Sequence, residues 1–149
     1  MDCRKHVHAE DFPVSPEKMF EILCRPSAIC GWWGASQAIV LPKNDGVWTA
    51  AWGEDPDDPD YISSFRIKEY EPPRRILFTD AEYFSKDGGL PFEADLTAEF
   101  IVEPSDSGCT LKVIQDGFPA DPVADDFYSA CETGWKNTFE GIRKYLSGR

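Results

Sequence analysis

The sequence predicts an α+β domain in which a curved antiparallel sheet of six or seven strands wraps around one long C-terminal helix. Three observations predict it. The chain has 149 residues, 42% of them hydrophobic and 13% aromatic, which supplies one sizeable core and a single domain over residues 1–149. From residue 38 onward, about eighty positions alternate apolar and polar side chains with the period of two that belongs to strands. The end of the chain instead repeats apolar residues at intervals of three and four. Helices so few cannot bury both faces of so large a sheet, so the sheet has to curl around the terminal helix and enclose space.

The elements follow in chain order. Val7, Ala9 and Asp11 alternate with His6, His8, Glu10 and Phe12 in a first strand that Pro13 ends. Ser15-Pro16-Glu17 opens a helix: Ser15 caps free backbone N–H groups, Pro16 suits the first helical position, and Glu17 sits near the positive end of the dipole. Met19, Phe20, Leu23 and Cys24 give that helix a buried stripe, and it stops before Pro26. A short turn over residues 27–30 then leads into Gly31-Trp32-Trp33-Gly34, read as a loop. Residues 38–41 form a short strand, Asn44-Asp45-Gly46 a hairpin turn, and residues 47–52 the next strand. Residues 53–60 combine like charge with two prolines and form a solvated loop. Strands over 61–70 and 75–80 are joined by a turn at Glu71-Pro72-Pro73-Arg74, and a loop over 83–91 contains Gly88-Gly89. Ala94, Leu96, Ala98, Phe100 and Val102 share one strand face. After the turn Ser105-Asp106-Ser107-Gly108, Leu111, Val113 and Gln115 share one face of the hairpin partner. Asp121-Pro122 starts the last helix, with Asp125 and Asp126 in its first turn and a stripe through Phe127, Cys131, Gly134, Trp135, Thr138 and Ile142. It amounts to about seven turns.

Charge and cysteine usage bound the function. A net charge of −12 makes the long-range field repulsive to nucleic acid and anionic lipid, and the local pair Arg74-Arg75 does not reverse it. No apolar run approaches the roughly 18 residues of a membrane span. The five cysteines, Cys3, Cys24, Cys30, Cys109 and Cys131, are scattered without a CxxC, and only His6 and His8 supplement them, so no metal site is expected. A His-x-His pair on a strand does place both imidazoles on one face, but its plain reading is a solvated edge of the first strand. A calcium reading of residues 53–60 fails because Pro56 and Pro59 break the ligand alternation and no glycine occupies the middle. Reduced, mostly buried cysteines and an N-terminus without an apolar signal core lead to the expectation of a cytoplasmic protein.

Several short motifs carry a resemblance over nearly the whole chain. They are Pro16-Glu17-Lys18-Met19-Phe20, Gly31-Trp32-Trp33, the stretch from Tyr70-Glu71-Pro72-Pro73 through Arg74-Arg75-Ile76-Leu77-Phe78-Thr79, and Gly108-Cys109-Thr110-Leu111. Asp116-Gly117-Phe118, Gly134-Trp135 and Phe139-Glu140-Gly141-Ile142-Arg143-Lys144-Tyr145-Leu146 complete the order. In that order and spacing the chain resembles the activator of heat-shock protein 90 ATPase homologue family, within the START-like (SRPBCC) superfamily. The resemblance implies the helix-grip, Bet v 1-like fold of the birch-pollen allergen. Two departures stand out: one glycine rather than two in Asp45-Gly46-Val47-Trp48, and a long acidic loop at 54–60.

Three functions compete. The first is binding of a small hydrophobic or amphipathic molecule, such as a lipid, between sheet and terminal helix, since ligand sites are concave, mostly apolar and carry a few placed polar groups. Its expected residues are Trp48, Trp52, Phe65, Phe78 and Phe100 from inward strand positions and Phe127, Cys131 and Trp135 from the helix. Gln115 and Phe118 on the last strand join them, and at least one of Trp32 and Trp33 is expected to line an entrance, Trp33 being the one counted in the site, with Ser63 and Thr138 as further polar groups. Gly134 lets a ligand or sheet side chain approach the helix backbone closely. The competing reading of each tryptophan is core filling. The second function is catalysis, because relatives on this fold include cyclases and hydratases of the polyketide type. No nucleophile and base pair is recognisable, and Asp116 is the one carboxylate placed for acid–base work, against a reading as a turn aspartate satisfying backbone amides. The third, implied by the family, is stimulation of a chaperone ATPase; in the eukaryotic proteins of that name a separate N-terminal domain makes much of the contact, and none is expected here. No cofactor is expected, and the chain is expected as a monomer or homodimer.

Overall fold

Alternating stretches pair edge to edge into one curved sheet in the computed structural model of the chain, which describes residues 3–88, 90 and 92–148. The strands are β1 (Cys3–Phe12), β2 (Gln37–Val40), β3 (Val47–Trp52), β4 (Tyr61–Glu71), β5 (Arg75–Ser85), β6 (Thr97–Ser105) and β7 (Gly108–Pro119). They lie in the order β1-β7-β6-β5-β4-β3-β2, with every neighbouring pair antiparallel. Each strand from β3 to β7 lies beside its predecessor, whereas β1 sits at the far edge beside β7. The chain between β1 and β2 must therefore cross the whole width of the sheet, and α1 (Pro16–Cys24) and α2 (Pro26–Trp33) make that crossing. A 3-10 turn at Pro122–Ala124 leads into α3 (Asp125–Ser147), which packs its Trp135 against Phe100 and its Phe139 against Phe12. This is the helix-grip architecture that the motifs imply.

The two ends of the space between sheet and α3 are filled differently. At one end Met19, Leu23, Ile29 and Trp32 of α1 and α2 pack against Phe12, Val102 and Leu111, and all of these are buried. Burial of each such side chain contributes about 1.5–3 kcal/mol. At the other end no helix among the described residues fills the space under α3, which remains open.

Several elements depart from the sequence reading. Residues 26–33 are helical rather than turn and loop, because Pro26 ends α1 and also suits the first position of α2, and Gly34 closes α2 in the left-handed conformation at φ 75°. Trp32 and Trp33 consequently stand on a helix. Strand β5 continues to Ser85 rather than ending at Asp80, so Tyr83 is a strand residue and not part of a loop. Gly89 and Pro91 of that expected loop lie outside the described residues. Strand β6 starts at Thr97, which leaves Ala94 exposed before it. Asp121 does act as a cap, accepting from Val123 N at 2.9 Å, but of the 3-10 turn that precedes α3. The face of β1 with His6 and His8 is not a solvated edge: it turns toward α3. His6 is buried, stacks on the Tyr128 ring at 3.9 Å and donates through Nε2 to Tyr128 O at 2.7 Å. Among the described residues, no helix is long and apolar enough to cross a membrane.

Candidate functional site

Between the sheet and the N-terminal half of α3 lies a cavity of about 320 Å³. Alternation builds its floor: Trp48 on β3, Phe65 on β4, Phe78 on β5 and Phe100 on β6 all point inward from four neighbouring strands. Their rings meet, with centroids 5.3 Å apart for Trp48 and Phe78, 5.4 Å for Phe65 and Phe78 and 5.1 Å for Phe78 and Phe100. Helical spacing builds the roof from Phe127, Cys131, Trp135 and Thr138, and Trp33 on α2 closes one side. Gly134 leaves a gap in that roof, since a Cβ there would meet nothing within 4 Å, so the cavity reaches the helix backbone.

The five indole N–H groups all find acceptors within the protein. Trp32 donates to Ile22 O and Trp48 to Leu23 O, each at 2.9 Å, which ties α2 and β3 to the end of α1. Trp33 donates to Thr138 Oγ1 at 3.1 Å, Trp52 to Trp33 O at 3.4 Å and Trp135 to Gln115 Oε1 at 2.6 Å. The indoles that line the cavity therefore offer it ring surface rather than donors. None of the lining residues is an aspartate, glutamate, lysine or arginine. Burial pushes the Cys131 thiol up to about 12, against a small opposing pull from a hydrogen bond with Gln115. Burial likewise raises the Tyr83 phenol well above its ordinary value, with Cys131 adding and the Gln115 hydrogen bond opposing. Both groups are neutral in the physiological range, so the wall holds no charge.

The sheet parts beside the cavity. Strand β5 pairs with β6 only from Arg75 to Phe78, bulges at Asp80 with φ 53°, and continues beside β4 alone. Phe127 of α3 sits at the parting, its ring 5.9 Å from Tyr83, 5.7 Å from Phe92 and 5.8 Å from Phe118. Outside lies a groove of about 250 Å³ that reaches Tyr61, Phe84 and Leu90 and shares Ser63, Tyr83 and Phe127 with the cavity. Lys86, next to that groove, pairs with Asp58 at 2.9 Å and Asp60 at 3.1 Å, which holds the acidic loop 53–60 beside the opening.

Of the residues expected from sequence, Trp48, Phe65, Phe78 and Phe100 line the floor, and Trp33, Gln115, Phe127, Cys131 and Trp135 the remaining walls. Trp52 does not reach the cavity, because Trp33 stands in front of it, edge to face at 4.9 Å. Phe118 is buried behind Phe127 and His6, outside the wall. Asp116 points the other way from Gln115, is exposed, and accepts from Gly117 N at 2.7 Å, the geometry of a turn aspartate rather than of an acid–base group in the cavity. Tyr83 and Ala130 line the cavity without having been singled out, and Trp32 joins Trp33 in its wall. The signal for Tyr83 is a slip of phase: Ile76 and Phe78 face inward at even positions, then Ala81, Tyr83 and Ser85 at odd ones, as a one-residue bulge requires. Among the described residues no three metal-ligating side chains gather.

Comparisons with known proteins agree with this architecture. A protein from Mesorhizobium loti superposes with a TM-score of 0.76 at 20% identity over 97% of both chains. The AHSA1 protein from Silicibacter pomeroyi superposes with a TM-score of 0.70 at 21% identity, over 97% of this chain and 98% of its own. A Rhodobacter sphaeroides protein reaches 0.76 at 16% identity over 99% of each. No curated protein matches the sequence. The family model described as Activator of Hsp90 ATPase homolog 1-like protein matches residues 13–147, and with that span covered the chain belongs to this family.

Proposed function

We propose that this chain binds a small hydrophobic or amphipathic molecule in the cavity between the sheet and α3. The observation that carries this reading is a space of about 320 Å³ walled by aromatic faces and free of charged side chains. A void in a packed core costs about 24 cal/mol for each Å³, so a cavity this large forfeits several kcal/mol that bigger side chains at Ala98, Ala130 or Gly134 would recover. An occupant recovers it instead, at roughly 25 cal/mol for each Å² of apolar surface taken out of water. No carboxylate or histidine lines the cavity among the described residues, so acid–base catalysis has only the neutral Tyr83 and Cys131 to draw on. Protein purified without denaturant is expected to retain a non-covalent occupant in native mass spectrometry. Once emptied, it is expected to show quenched tryptophan emission on titration with apolar compounds. Failure of both measurements removes the reading.

The family description favours a second reading, stimulation of a chaperone ATPase, and a net charge of −12 suits docking on a basic partner surface. The chaperone's ATPase rate, with and without saturating amounts of this domain, decides it; an unchanged rate excludes it.

A further inference from the structure

The net charge of the chain is concentrated at one end of its sheet. Register sets Gln37 opposite Ala51, Trp52 opposite Tyr61, Tyr61 opposite Ser85 and Cys3 opposite Pro119. The connections 34–36, 53–60, 86–96 and 120–124 therefore leave the sheet at the same end. Together they hold nine carboxylates and one lysine, a charge of −8 out of the chain's −12. The connections at the opposite end, 13–15, 41–46, 72–74 and 106–107, set Lys43 and Arg74 against Asp45 and Asp106 and balance to zero. Within the acidic end, Lys86 bridges Asp58 and Asp60, while Glu54, Asp55, Asp57, Asp87 and Asp121 make no ion pair with another described residue. Asp125 and Asp126, just beyond, are largely offset by Arg4, 2.9 Å from Asp125, and by about half a positive charge at the N-terminus of α3. The cavity opens at the acidic end: the groove outside it takes Gly88 and Leu90 from 86–96 and includes Tyr61, the residue after Asp60. Tyr61 and Phe84 in the groove wall are half exposed.

Building on the binding-protein reading, we propose that the ligand is a cationic amphiphile, with an apolar body in the cavity and an ammonium group at the mouth. The cavity wall has no charged partner to offer, so a charged group costs least when it stays outside, in contact with water. There the summed carboxylates hold a negative potential, which raises the local concentration of cations and lowers that of anions. The ring faces of Tyr61 and Phe84 add to the attraction, since aromatic faces draw ammonium groups too. A fatty acid or a phosphate ester fits the same apolar space but brings a charge that this field repels. Uncharged molecules feel neither effect. The cavity is the site, and the carboxylates select which head group its mouth accepts.

Phenylbutylamine, phenylbutanol and phenylbutanoate share one body and differ in charge, and shifts of the indole N–H resonances in NMR of isotopically labelled protein read their binding. A single ring is of the right scale, because an engineered cavity of about 150 Å³ holds benzene. At neutral pH and about 0.1 M salt, screening leaves only charges within roughly 10 Å effective. There the amine is expected to bind about tenfold tighter than the alcohol, and the acid about tenfold weaker. At about 1 M salt all three are expected to converge to within about threefold. The triple substitution Glu54→Gln, Asp55→Asn, Asp57→Asn is expected to shrink the preference for the amine by about threefold or more and to leave the alcohol unchanged. Glu103→Gln, Asp106→Asn, Glu140→Gln removes the same charge from exposed positions away from the mouth and is expected to leave the preference intact. Equal affinity of amine and alcohol, acid binding on a par with the amine, or equal effects of the two triple variants overturn the cationic ligand and leave the binding-protein reading in place. Binding by none of the three probes removes that reading and the cationic ligand together. Should the loop variant fail to fold, the salt dependence of the wild type makes the comparison alone.

Discussion

Gln115 holds three elements together through one side chain: it sits on β7, accepts from Trp135 of α3 and donates to Tyr83 of β5. Gln115→Ala leaves the Trp135 N–H without an acceptor, so unfolding free energy is expected to fall by about 1–3 kcal/mol. Urea titration measures it, and a change within error would show that water replaces the amide. His8 offers a test in pH. Its Nε2 is buried with no hydrogen-bond partner among the described residues, and burial lowers its pKa below 6.5, with His6 and Lys136 adding to the effect and Glu132 and Glu10 opposing it. The unfolded chain therefore takes up the proton first as pH falls, and the stability tied to a neutral His8 is complete above the unfolded value and lost below it. Between about pH 7 and pH 5 the wild type is expected to lose more stability than His8→Leu, as urea midpoints across that range would show.

Two glycines on α3 give opposite expectations for one substitution. A Cβ at Gly141 would sit 2.2 Å from Trp32 O, a backbone atom, so Gly141→Ala has to push α2 and α3 apart and is expected to cost about 1–3 kcal/mol. A Cβ at Gly134 meets nothing, so Gly134→Ala is expected to raise stability by about 0.5–1 kcal/mol through helix propensity while lowering ligand affinity by narrowing the cavity. Thermal melts with and without ligand separate the two. The glycine spacing on the terminal helix was legible in sequence, but which glycine faces backbone and which faces space depends on the crossing of α2, an element the sequence concealed. Pro26 hid it, because one proline can both stop a helix and start the next. Strand β5 was half concealed for a related reason: a bulge at Asp80 shifts the alternation by one, and a strict period of two ends there.

At the scale of the molecule, the curved antiparallel sheet and the gripped helix followed from alternation and helical phase, because burial of one face acts over every residue of an element, whereas the place of β1 beside β7 did not. The polar details of the site did not. Gln115 and Ser63 were visible as inward polar residues, but their hydrogen bonds depend on which side chains meet across β4, β5, β7 and α3, and no local pattern encodes that. The net charge of −12 also acts globally. Self-repulsion is screened by salt, so moving from roughly 0.01 M to roughly 1 M sodium chloride is expected to raise the melting temperature, by about 2–4 °C for each kcal/mol relieved. A melting temperature that falls with salt would show that ion pairs such as those of Arg75 with Glu69 and Glu99 outweigh the repulsion. Phe127, finally, bears on residence time. It stands between Tyr83, Phe92 and Phe118 where the sheet parts, and it belongs to the first turn of α3. Helix ends fray at far lower free energy than whole domains unfold, so loosening one turn uncovers the cavity while all seven strands stay paired. Escape of an occupant is then clocked by that single turn, and dissociation rates can be tuned at Asp125, Asp126 and Tyr128, which do not line the cavity, without touching the surfaces that determine affinity.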